Sequence, residues 1–166
     1  MSWIKRQWVR LRVKMLREKA SPEFIARGWA IGMFYGCTIP FGLQLALSIP
    51  TAFILKGSKI GATFGTLLTN HFTIWFIYPA QCWVGNRLLG GELSFANINT
   101  ALKDVLTEQS WEALLQLGGD LCSAFLLGGA LLAAVCVPLT YWGVLRYVRL
   151  MRGRKAATRQ KDARRV

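Results

Sequence analysis

Charged residues are missing from three long stretches of the chain: 28 residues between Arg27 and Lys56, 27 between Lys59 and Arg87, and 25 between Asp120 and Arg146. Each exceeds the roughly 20 apolar residues that a helix needs to cross a bilayer. A chain of 166 residues is too short to bury all three in a water-soluble core. The pattern therefore predicts an all-α integral membrane protein, built as a re-entrant helical hairpin plus two transmembrane helices, with interfacial amphipathic helices.

The first stretch is the one expected to turn back. As a single helix its 28 residues would measure about 42 Å against a hydrocarbon core of roughly 30 Å. It is also interrupted by Thr38-Ile39-Pro40-Phe41-Gly42, where a helix breaker meets a flexible residue. Residues 28–55 are read as the hairpin, 60–87 as a continuous span and 121–145 as the returning span. The second stretch has Asn70-His71 where the first has Phe41-Gly42, and it lacks a proline there. Residues 21–146 thus form the membrane domain.

The flanking segments are amphipathic. In residues 1–20, Ile4, Trp8, Leu11 and Met15 share one side of a helical wheel, with Lys5, Arg6, Arg10, Arg12, Lys14, Arg17 and Lys19 on the flanks and back. This suits a helix lying among anionic headgroups. Ser21, Pro22 and Glu23 supply an N-cap, a first-turn proline and a first-turn anion, so a new helix starts there. Residues 88–120 are the one sizeable polar connection, expected outside. Within it Ile98, Ala101, Leu102, Val105 and Leu106 recur at helical spacing, and Ser110 can cap a short helix carrying Leu114 and Leu117. Residues 147–166 form a basic cytoplasmic tail whose last dozen residues are expected to be disordered.

Charge decides the orientation. Lys and Arg number 21 against eight Asp and Glu, a net charge of +13, which on a soluble protein would point to nucleic acid. Eight of these cations lie in residues 1–27 and nine in residues 146–166, beside apolar segments. Basic residues near membrane ends stay cytoplasmic, so both termini are expected inside and residues 88–120 outside. The expected partners are a bilayer with anionic lipids and a second copy of the chain. Nucleic acid is not expected.

An internal repeat runs at an offset of 29 residues: Gly28, Ile31, Gly32, Gly36 and Pro50 correspond to Gly57, Ile60, Gly61, Gly65 and Pro79. Glycines four apart make a flat stripe that lets helix backbones approach closely. The two stripes are expected to face each other; if the two copies also shared one shape, residues 60–87 would be a second re-entrant segment and the basic C-terminal tail would lie outside.

Few side chains could carry chemistry. Thr38 and Gln44 lie in the first stretch, and Thr66, Thr69, Asn70, His71 and Thr73 in the second. Polar groups at membrane depth are costly and mark functional sites or interhelical hydrogen bonds; the threonines suit the second role, while Gln44 and Asn70 fit either. Pro40, Gly42, Gln44, Asn70 and His71 are the candidate ligand-binding residues. A single histidine makes no histidine-rich metal site and no catalytic triad. Cys37, Cys82, Cys122 and Cys136 show no Cys-x-x-Cys spacing and read as small apolar residues, with Cys82 and Cys122 both near the outer end of a span. No enzymatic activity, metal or cofactor is expected.

Residues 30–90 resemble a bacterial membrane family known as domain of unknown function 2062. The shared features are the glycine-rich run from Gly28 through Gly32 to Gly36, the turn Ile39-Pro40-Phe41-Gly42-Leu43-Gln44, the pair Thr69-Asn70, then Tyr78, and the run from Gly85 to Gly90. The family usually has proline after the asparagine, where this chain has His71. The resemblance implies a bacterial inner-membrane protein, which with the apolar segments above gives a multi-pass protein of that membrane. In some similar proteins the region is joined to glycosyltransferase domains, which by analogy suggests envelope metabolism and, as an alternative to a second copy of the chain, an envelope-biosynthesis partner. The expected function is a transporter or transport accessory for a lipidic or small polar ligand, the alternative being a scaffold that recruits cytoplasmic partners through its basic tails.

Overall fold

A computed structural model describes residues 20–40, 42–70, 72–108 and 119–163. These residues form helices and connecting turns, with no strand among them. The proposed interfacial helix over residues 1–20, His71 and the short helix after Ser110 lie outside the described residues, apart from Ala20. The helices are α1 (Pro22–Thr38), α2 (Leu43–Ile54), α3 (Lys59–Gly65), α4 (Ile74–Leu88), α5 (Phe95–Glu108) and α6 (Gly119–Ala163), with a 3-10 turn at Thr66–Leu68 between α3 and α4.

α1 begins as its first residues dictate. The Ser21 hydroxyl accepts from the Phe24 amide at 3.2 Å and Pro22 fills the first turn, where no amide donor is needed. α1 ends because Ile39 precedes a proline and is pushed to an extended conformation, φ −114° and ψ 136°. Gly42, at φ +104°, then reverses the chain into α2. The two helices are tied by Tyr35 and Thr51, whose hydroxyls lie 2.8 Å apart.

α2 ends in a reciprocal pair of bonds, Gly57 amide to Ala52 carbonyl at 2.7 Å and Lys56 amide to Phe53 carbonyl at 3.3 Å. This is a Schellman ending, and it puts Lys56 in the left-handed region at φ +51°. α4 ends in the same way, Gly91 amide to Asn86 carbonyl and Gly90 amide to Arg87 carbonyl, but there glycine holds the left-handed position, at φ +79°. A side chain in that conformation costs roughly 1–2 kcal/mol that glycine avoids.

Ser58 caps α3 by accepting from the Gly61 amide at 3.0 Å, and the Ser58 amide donates to the Phe24 carbonyl at 3.0 Å. α3 then runs beside α1 in the same direction. A Cβ at Gly28 would overlap the Ser58 backbone, one at Gly32 the Ala62 carbonyl, and one at Gly36 would press on Thr66. From the other side, a Cβ at Gly57 would crowd Gly28, at Gly61 Trp29, and at Gly65 Trp29 and Met33. The register pairs Gly32 with Ala62 and Gly65 rather than setting glycine directly on glycine.

The segment expected to be one continuous helix over 60–87 is interrupted. α3 tightens into the 3-10 turn, Thr69 is extended (φ −95°, ψ 106°), and α4 restarts at Ile74. Both repeats are therefore helix, break, helix, each with a proline inside the second helix, Pro50 and Pro79.

α6 supports both halves. Near its basic end Ile25 and Val148 are buried together with Trp29 and Val144 packed against them, and Arg149 bridges Glu23 at 2.6 Å. That guanidinium holds the Glu23 carboxyl below the usual carboxylate range. Farther along, α4 lies on α6: a Cβ at Gly85 would overlap Ala124, and one at Gly128 the Gln81 carbonyl. α5 does not lie apart as a surface helix. Its Ile98 and Leu102 join Ile74, Tyr78 and Cys82 of α4 and Leu121 and Phe125 of α6 in one apolar cluster. The last dozen residues of the basic tail, expected to be disordered, continue α6 as helix as far as Ala163. Alanine, arginine, lysine and glutamine after Met151 are good helix formers, and propagation from an existing helix needs no new nucleus. Of the described helices one, Gly119–Arg154, is long and apolar enough to cross a membrane. The four cysteines are free thiols.

Candidate functional site

The two breaks meet. At the first, the Thr38 hydroxyl donates to the Phe34 carbonyl at 2.9 Å and the Ile39 amide to the Tyr35 carbonyl at 3.0 Å, which completes the last turn of α1. Pro40, half-buried, and Gly42, exposed, form the turn itself. Gln44, in the first turn of α2, is 3% exposed and reaches across to the second break. Its amide nitrogen donates to the carbonyls of Thr66 and Thr69 at 3.4 and 3.3 Å, and its oxygen lies 2.8 Å from the Thr69 hydroxyl. That hydroxyl also lies 2.9 Å from the Gly36 carbonyl. Its single proton is shared between those two acceptors. Gln44, Thr66, Thr69 and Gly36 thus form a buried polar knot that joins α1, α2 and the end of α3.

Asn70 does different work. Its side-chain oxygen accepts from the amides of Phe72 and Thr73 at 2.9 and 3.2 Å, its nitrogen donates to the Leu67 carbonyl at 3.1 Å, and its own amide donates to the Thr73 hydroxyl at 2.9 Å. This is a reciprocal cap of Asn-x-x-Thr form that restarts the chain toward α4. Gln44 and Asn70 are therefore not adjacent ligands in one cavity: the first sits in the knot, the second in the turn below it.

Gln81 was absent from the residues singled out in the sequence, and so were Ser48 and Asn86, all three buried. Gln81 is 4% exposed; its nitrogen donates to the Phe125 carbonyl at 2.8 Å, while its oxygen is sealed from solvent without a partner among the described residues. It borders an apolar groove of about 450 Å³ between α4 and α6, walled by Phe76, Ile77, Val84 and Leu131. The available signal was a glutamine deep in a stretch without charge, facing Gly128-Gly129 in another. A second cavity, of about 470 Å³, opens at the basic end between α1, α2 and α3.

The described residues hold no cluster of three or more His, Cys, Asp or Glu side chains that could bind a metal ion. What the arrangement can do is hold backbone groups of two interrupted helices in register, and release them if the Gln44–Thr69 contact parts.

These features define an all-helical protein with one helix of membrane-crossing length and apolarity. The chain belongs to the family described as uncharacterized protein conserved in bacteria (DUF2062), whose profile matches residues 5–157. No curated protein and no solved structure matches it.

Proposed function

We propose that this is a multi-pass protein of the bacterial inner membrane that moves a lipidic ligand, or assists a transporter that does. The observation that carries the reading is the meeting of two interrupted helices at a buried polar knot, halfway along apolar segments. Broken backbone at membrane depth is tolerated where protein or a cavity satisfies it, and transporters place binding sites at such breaks. In this reading α1 and α2 form the re-entrant hairpin, α3 and α4 cross in two pieces, and α6 crosses back. Both termini are then cytoplasmic. Support comes from the gathering of Arg27, Lys56, Lys59, Arg149 and Arg152 at one end, tied together by Arg27 to the Leu55 carbonyl and Arg152 to the Ala20 carbonyl. Support also comes from the apolar surface between the ends, where Phe72, Phe76, Leu139 and Trp142 are more than two-thirds exposed. The close α1–α3 backbone approach would replace the hydrophobic drive that lipid does not provide.

Two measurements test the reading. A reporter enzyme active only outside the cytoplasm should work when inserted in the turn after α4, at Glu92, and be silent when fused after Val166. Activity at Val166 would reverse the orientation and remove the hairpin. For the site, Gly42 is a poor probe position because its φ of +104° strains any side chain, so Pro40→Cys in a cysteine-free background is used. A membrane-impermeant thiol reagent should label it from one side of the membrane only. Complete protection from both sides would mark a sealed core and defeat the transport reading.

A further inference from the structure

Residues at the basic end build a cavity that neither the repeat nor the polar knot explains. It is lined by Phe24 of α1, Phe53 of α2, Lys56 and Gly57 of the connecting turn, and Lys59 and Ile60 of α3. We propose that this cavity binds the phosphate of an anionic phospholipid, with Lys56 and Lys59 as the phosphate ligands and one acyl chain descending along Phe53 and Ile60. The inference rests on the membrane reading above.

The backbone of the turn speaks for the placement of Lys56. α2 and α4 end in the same hydrogen-bonded motif; α4 puts Gly90 at its left-handed position, and α2 puts Lys56 there, with the available glycine one residue later. Gly57 is fixed at that later position because a Cβ there would lie 3.1 Å from the Gly28 amide nitrogen. The strained position therefore carries a lysine that a glycine would hold more cheaply, and strain of this kind persists where the side chain serves a purpose.

Charge supports the ligand. Lys59 Nζ lies 4.6 Å from the centre of the Phe53 ring, so that the ring face steadies the ammonium at the cavity wall. The Glu23 carboxylate, next in sequence to Phe24 of the cavity wall, is engaged by Arg149. The other walls are aromatic or aliphatic, and Phe53, Ile54 and Leu55 beside them are 68%, 73% and 53% exposed. A free phosphate would gain nothing from that surface, whereas a lipid tail would cover it.

The experiment is native mass spectrometry of the full chain released from micelles. Four probes are compared: phosphatidylglycerol, phosphatidylcholine, inorganic phosphate, and phosphatidylglycerol with excess inorganic phosphate. The full chain should retain phosphatidylglycerol over phosphatidylcholine. Lys56→Gly and Lys59→Gln should each weaken retention about five-fold, whereas Arg146→Gln, with the same loss of charge at an exposed position of α6 outside the cavity lining, should not. Lys56→Gly relieves the backbone strain, so its melting temperature should not fall, and its loss of lipid cannot be ascribed to misfolding. Equal loss in Arg146→Gln would reduce the effect to diffuse charge and overturn the site. Full displacement by inorganic phosphate would overturn the lipid as ligand. Retention of both lipids alike would overturn the headgroup contact while leaving the membrane reading intact.

Discussion

Gly32→Leu should leave almost no folded protein, measured as loss of helical signal and of a cooperative thermal transition in detergent. A Cβ at Gly32 already overlaps the Ala62 carbonyl and approaches the Gly65 Cα to 2.8 Å. These are backbone atoms that no rotamer change can move aside. Forcing extra carbons into a well-packed contact costs about 1–3 kcal/mol where side chains can adjust, and here they cannot. Gly32→Ala sharpens the argument, because helix propensity alone favours alanine by about 1 kcal/mol; the overlap should outweigh that gain and lower the melting temperature. Gly143 is the control. Nothing lies within 4 Å of a Cβ built there, so Gly143→Ala should stabilise slightly. If Gly32→Leu melts like the parent, α1 and α3 do not pack as described.

Gln44→Leu should destabilise by about 2 kcal/mol, the cost of leaving buried acceptors unmet. The change strips the amide donor from the Thr66 and Thr69 carbonyls, of which the Thr66 carbonyl keeps only a longer contact with the Thr69 hydroxyl, at 3.4 Å. The Thr69 hydroxyl retains the Gly36 carbonyl, so Thr69→Val should cost separately, and the double variant should cost less than the sum of the two. Chemical denaturation in mixed micelles reads all three. A Gln44→Leu protein as stable as the parent would mean that the amide is held for a ligand and not for the backbone.

The first break was legible because proline and glycine announce themselves: Ile39 before Pro40 ends one helix and Gly42 permits the reversal. The second has no proline to announce it. Its signal was polar, Asn70 followed three residues later by Thr73, a cap that satisfies the restart of a helix as firmly as a proline ends one. The glycine spacing at Gly28, Gly32 and Gly36 indicated a close approach of helices but not its register, which depends on the length of the Leu55–Ser58 turn. Gln81 escaped notice since a lone amide in an apolar run has no periodic partner, and its contact with Phe125 lies 44 residues away. The helical tail was misjudged from its charge, because composition does not reveal that α6 arrives already formed at Met151. Pro40, Gly42, Gln44 and Asn70 stand out by residue type, yet only the fold separates the knot from the cap.

Since α1 and α4 both rest on α6, the order of synthesis carries a burden. A ribosome delivers α1 and α4 before the helix on which they lie exists. During that interval the nascent chain relies on what it can make locally: the glycine seam between α1 and α3, the Ser58 to Phe24 bond, and the Gln44 knot, each joining residues no more than about forty apart. The Gln81 and Gly85 face of α4 must wait. Until Ala124, Phe125 and Gly128 emerge, its amide and its bare strip of backbone have nothing to pack against.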